Sequence, residues 1–87
     1  MKEIVLITGG GRGIGAATAR LAAARGYAVA INYKSNAEAA AKVVNEIEVG
    51  GGRATAIPGD MAQEADIDQM FKALDRFGPL RHLVYSS

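Results

Sequence analysis

The chain has 87 residues, of which 49% are hydrophobic, 22% charged and 6% aromatic, a composition that excludes disordered and fibrous proteins and fits one small domain. It holds no cysteine and a single histidine, His82, which excludes a disulfide framework and leaves no thiolate or paired-imidazole metal site. The net charge of +1 gives no electrostatic footprint for nucleic acid.

The first element is the run Ile4-Val5-Leu6-Ile7, uncharged and rich in β-branched residues, as expected of a parallel strand covered on both faces. It leads into Thr8-Gly9-Gly10-Gly11-Arg12-Gly13-Ile14-Gly15. Strand, glycine loop and helix in that order make a phosphate site that suits a dinucleotide. Gly9 takes the tight turn, Gly13 lets backbone approach a pyrophosphate, Gly15 lets the helix pack on the strand, and unpaired amides at the helix start face the anion. A helix is predicted over 14–25, with Ile14, Ala17, Leu21 and Ala24 toward the sheet and Gly26 ending it. Arg20 and Arg25 are expected to decorate its surface with no further role.

Tyr27 to Tyr33 is a second strand, so the first three elements form a right-handed βαβ unit. Ser35-Asn36-Ala37-Glu38 fits a capping box, with the Ser35 hydroxyl as the cap of a helix over 36–49 that Gly50-Gly51-Gly52 stops. Arg53 to Pro58 is a third strand, and Pro58, with no amide donor, marks a strand end or an edge. Asp60 to Gln63 repeats a capping arrangement. The helix beyond it carries Ile67, Met70, Phe71 and Leu74 on one face and ends near Phe77-Gly78-Pro79, with Met61, Met70 and Phe71 as core fillers. Leu80 to Tyr85 is a fourth strand.

The fold expected is α/β: a Rossmann-like three-layer sandwich with parallel sheet order 3-2-1-4, the N-terminal half of a doubly wound fold. The first two helices cover one face and the third the other. The fourth strand stands at an open edge beside the cofactor crevice.

The spacing Thr8-Gly9-x-x-x-Gly13-x-Gly15 resembles the cofactor loop of the short-chain dehydrogenase/reductase family. In dinucleotide folds a carboxylate roughly 20 residues past the first glycine reads the ribose 2′-hydroxyl of NAD. Here Asn32 or Tyr33 holds that place, and no acid occurs between Glu3 and Glu38. Nothing therefore repels the extra phosphate of NADP. Arg12, in the loop, and Lys34, after the second strand, are the cations placed to select it, an arrangement that also resembles the NADP-preferring branch of the family. Both also read as ordinary solvated loop charges. The resemblance implies that Asp60 contacts the adenine amino group with the backbone of Met61 beside it; as plain structure, Asp60 caps the third helix with Gln63. The candidate cofactor residues are thus Gly9, Gly11, Arg12, Gly13, Ile14, Gly15, Asn32, Tyr33, Lys34, Ser35, Asp60 and Met61. Thr8 is expected to tie down the glycine turn, and His82, for which no partner is visible in the sequence, to be a surface or rim histidine.

Catalysis by the family that the chain resembles uses a tyrosine four residues before a lysine, together with a serine. No such pair occurs: Tyr27 is followed at that spacing by Ile31, Tyr33 by Ala37, and Tyr85 lies too near the last residue. Where the family reads Asn-Asn-Ala-Gly, this chain reads Tyr85-Ser86-Ser87, and both serines lack an activating base. The resemblance covers the whole chain but only the first part of a typical member. Residues 1–87 are accordingly expected to be one NADP-binding segment, separated from the catalytic half of a parent oxidoreductase that acts on a small carbonyl or alcohol. The alternative is a stand-alone, non-catalytic nucleotide-binding or interaction module. A cytoplasmic homo-oligomer is expected, with no signal peptide and no run near the roughly 20 apolar residues of a membrane span.

Overall fold

The computed structural model describes residues 3–9, 13–78 and 80–85, with the backbone path alone for 14, 80, 81 and 83–85. Seven elements alternate along the chain: β1 (Ile4–Thr8), α1 (Gly13–Ala24), β2 (Ala28–Tyr33), α2 (Ala37–Val49), β3 (Ala54–Pro58), α3 (Glu64–Phe77) and β4 (Leu80–Tyr85). The strands pair in parallel in the order β3-β2-β1-β4, as expected from the sequence. Pro58 ends the edge strand β3, where its missing amide costs no ladder bond to β2.

Alternation along the strands divides the core into two layers. Val5, Ile7, Val29 and Ile31 face α1 and α2, meeting Ala16, Ala19, Ala40, Val43 and Ile47. Ile4, Leu6, Ala28, Ala30 and Ile57 face α3, meeting Met70 and Leu74. Small side chains stand opposite large ones in both layers: the alanines of α1 lie on β-branched residues, and the alanines of β2 receive Met70 and Leu74. That exchange lets both layers close at native density.

Four local expectations are corrected. In α1 the face toward the sheet carries Ala16 and Ala19, while Ala17 and Ala24 are exposed and Leu21 is 56% exposed. Alanine surrounds this helix, so hydrophobic spacing does not fix its rotation. In α2 the cap is Asn36 rather than Ser35: Asn36 Oδ1 accepts from the Ala39 amide at 3.0 Å, and Ser35 lies one residue too early. In α3 the N-cap position is Gln63 without a side-chain cap bond. Asp60 closes a turn ahead of the helix, with Oδ1 accepting from Ala62 N at 2.9 Å and its carbonyl from Gln63 N at 2.9 Å. Phe71 is 42% exposed while Met70 and Leu74 are each 1% exposed, so only the latter two fill the core.

The other end of α3 is held by Arg53. Its Nη2 donates to the Phe77 carbonyl at 2.6 Å, and its guanidinium lies 4.0 Å from the Phe77 ring centroid. A cation therefore meets the negative end of the helix and an aromatic face together.

Candidate functional site

Parallel pairing brings the C-terminal ends of the strands to one edge. Thr8 stands opposite Asn32 across the β1–β2 ladder, and Asn32 opposite Ile57 across β2–β3. The loops that leave those strands are tied by backbone bonds at equal distance: Gly9 N donates to Asn32 O at 3.0 Å, and Gly59 N to Tyr33 O at 3.0 Å. The glycine turn, the Tyr33-Lys34 corner and the Gly59-Asp60 loop thus form one continuous rim.

Gly9 and Gly13 both have positive φ, 69° and 50°, the left-handed region that side chains avoid. The chain can therefore turn sharply out of β1 and begin α1 within a few residues. The first helical amides have no intrahelical partner. No acid occupies the first turn of α1, whereas the first turns of α2 and α3 carry Glu38 and the pair Glu64 and Asp66. The start of α1 is consequently a positive dipole end with no competing carboxylate. Gly15 is buried. Gly11 and Arg12 lie outside the described residues, as do Ser86 and Ser87, and Ile14 is described by backbone alone.

On the β2 side, Tyr33 is half-buried against the α1–α2 layer, and Lys34 and Ser35 are exposed. Lys34 Nζ lies 3.6 Å from Asp60 Oδ2. The cation and the acid singled out in the sequence therefore meet across the rim. Asn32 is turned inward at 3% exposure, its Nδ2 donating to Ile57 O at 3.2 Å and Gly59 O at 3.1 Å. Of the two residues read as candidates for the ribose position, Tyr33 is the one nearer the surface. Met61 follows Asp60 and packs partly buried on the α3 layer.

Asp66 was not singled out from the sequence. Its Oδ2 accepts from the Asp60 amide at 2.8 Å, anchoring the Gly59-Asp60 loop to the first turn of α3. The available signal was an acid in a first helical turn, a feature too common to separate this role from ordinary dipole pairing. Arg20 also gained a partner: its Nε donates to Glu46 Oε2 at 2.7 Å, tying α1 to α2. His82 is exposed as expected, although not alone, with Nε2 3.1 Å from Glu3 Oε2 and its ring edge-on to Tyr27.

A cleft lined by Arg20, Ala23, Glu46, Ile47, Gly50 and Gly52 lies at the other edge, by the C-terminal ends of α1 and α2. It is remote from the rim and offers an ion pair already satisfied. Among the described residues no group of three or more acids and histidines could hold a metal ion, and no helix is long and apolar enough to cross a membrane.

The family model for short chain dehydrogenases matches residues 3–87. The chain is 48% identical over 82 residues to the uncharacterized oxidoreductase YgfF of Escherichia coli, an alignment covering 93% of this chain and 33% of that one. A dehydrogenase/reductase from Sinorhizobium meliloti superposes with a TM-score of 0.92 at 44% identity, over 98% of this chain and 34% of the other. A blue fluorescent protein from a metagenomic library, solved in complex with NADPH, superposes with a TM-score of 0.85 at 39% identity, over 93% of this chain and 34% of that one. The chain thus spans about a third of the length of the relatives it matches. By sequence and by backbone, this chain belongs to the short-chain dehydrogenase family.

Proposed function

We propose that residues 1–87 form the NADP(H)-binding segment of an oxidoreductase that interconverts a carbonyl and an alcohol. The observation that carries this reading is the rim itself: Lys34 stands at the end of β2, 3.6 Å from Asp60 at the end of β3, beside a helix start without an acid. The NADPH held by the metagenomic relative supports the choice of cofactor. So does the stretch between Glu3 and Glu38, which contains no acid to repel an adenosine 2′-phosphate.

When bound, a nicotinamide dinucleotide supplies the hydride chemistry. This chain's residues bind and orient. The Gly9, Gly11, Gly13, Ile14 and Gly15 backbone and the first-turn amides of α1 receive the diphosphate. Arg12 and Lys34 are assigned to the 2′-phosphate, with Tyr33 where an NAD-selecting carboxylate would stand and Ser35 beside it in the sequence. Asp60 takes the adenine amino group beside the backbone of Met61. No tyrosine of residues 1–87 precedes a lysine by four positions, so the proton-donating pair of the family is assigned to the remainder of a longer protein.

One charge pair at about 4 Å and an effective dielectric near 20 is worth on the order of 4 kcal/mol before desolvation. A third of that retained is about a tenfold preference. Calorimetric titration of the intact protein with NADPH and NADH is therefore expected to favour NADPH by at least about tenfold. The Arg12→Ala Lys34→Ala double variant should bring the two affinities together. Equal affinities in the unaltered protein, or an unchanged ratio in the double variant, defeat the assignment.

A further inference from the structure

The buried side chain of Asn32 crosses at the rim from one strand to the end of the next and the loop beyond it. It is 3% exposed, and its Nδ2 uses its hydrogens on Ile57 O at 3.2 Å and Gly59 O at 3.1 Å. The last β2–β3 register pair is Tyr33 with Pro58. The bond to Gly59 therefore extends the connection between the strands one residue past the ladder, to the residue before Asp60. The backbone of Asn32 works in the other direction, its carbonyl accepting from Gly9 N at 3.0 Å. One residue thus sets the height of the glycine turn and of the Gly59-Asp60 loop relative to each other.

We propose that Asn32 is a positioning residue for the adenosine half of the cofactor: it does not touch the ligand, and it places Asp60 by holding Gly59. This rests on the cofactor reading above. An amide is suited to the task because a single nitrogen offers two donors to two carbonyls. A carboxylate would present only acceptors, and an aliphatic side chain would leave both carbonyls without this partner. Asp66, bonded to the Asp60 amide at 2.8 Å, secures the same loop from the α3 side. With Asn32 removed, the loop keeps that anchor and the backbone bond from Gly59 N to Tyr33 O, so it shifts rather than unfolds.

The test uses the intact protein with NADPH and with adenosine 2′,5′-bisphosphate, which carries only the adenosine side. Asn32→Leu, near the size of asparagine, is expected to raise both dissociation constants by about tenfold, a loss comparable to one or two buried hydrogen bonds. Because Asn32 acts through Asp60, the weakening caused by Asp60→Ala should shrink by more than half in the Asn32→Leu background. A residue that only stabilises the fold lowers the melting temperature and leaves the two losses additive. Should Asn32→Leu fail to fold, Asn32→Ser is put through the same titrations, with the same coupling to Asp60 expected. Unchanged affinities, or additive losses, overturn the proposal while leaving the cofactor reading intact. Failure of the unaltered protein to bind NADPH overturns both.

Discussion

Arg20 and Glu46 show how much a single pair adds at the surface. The Arg20 guanidinium donates through Nε at 2.7 Å and through Nη2 at 3.4 Å to the two oxygens of one carboxylate. That hydrogen bond holds the Glu46 carboxyl below its ordinary range and raises the Arg20 guanidinium. A carboxyl lowered in the folded state stabilises the fold at neutral pH, and that contribution fades as the pH falls through the lowered range. The melting difference between the unaltered protein and Arg20→Ala should therefore be small and positive at pH 7, shrink toward pH 3 and shrink again in molar salt. A difference that stayed constant with pH would point to packing of the arginine stem instead. Arg20 also illustrates what sequence leaves out: its partner is 26 residues away, across a helix pair whose rotation the alanine pattern does not fix. Lys34 and Asp60 were legible as charges at the ends of successive strands. Their contact was not, because it depends on the level at which those strands pair.

The three helices share an architecture and differ in how they begin. Asn36 caps α2, so Asn36→Ala should cost about 1 kcal/mol by denaturant titration. Ser35→Ala should stay within about 0.5 kcal/mol. Two cap-competent residues in succession gave the sequence no means of choosing, and the choice fell to the residue whose amide reaches the third helical N–H. In α3, Leu74→Ala should cost about 2–5 kcal/mol, the range for emptying a closed core site. Phe71→Ala, at a residue 42% exposed, should cost less than about 1 kcal/mol. The period of α3 was readable and its width was not: both Met70 and Phe71 fall near the apolar stripe, and β2, with Ala28 and Ala30, makes room for Met70 and Leu74.

Across the molecule, the two layers leave both edges of the sheet to β3 and β4, and Leu21, Val49 and Phe71 are exposed at 56%, 79% and 42%. Unpaired strand edges and exposed apolar side chains favour association. Residues 1–87 expressed alone should therefore self-associate in light scattering at high concentration, and a stable monomer there would show that these edges are adequately protected. By itself the sequence determined the element order, the parallel sheet, its strand order and the placing of a glycine loop between β1 and α1, because those follow from alternation, chain handedness and the conformations open to glycine. Only the tertiary structure decided which face of α1 is buried, which residue caps α2, and that Asn32 turns inward to hold Gly59 while Lys34 meets Asp60. Those outcomes depend on rotation and register between elements distant in the chain, where a side chain's neighbours are set by packing and not by its own spacing.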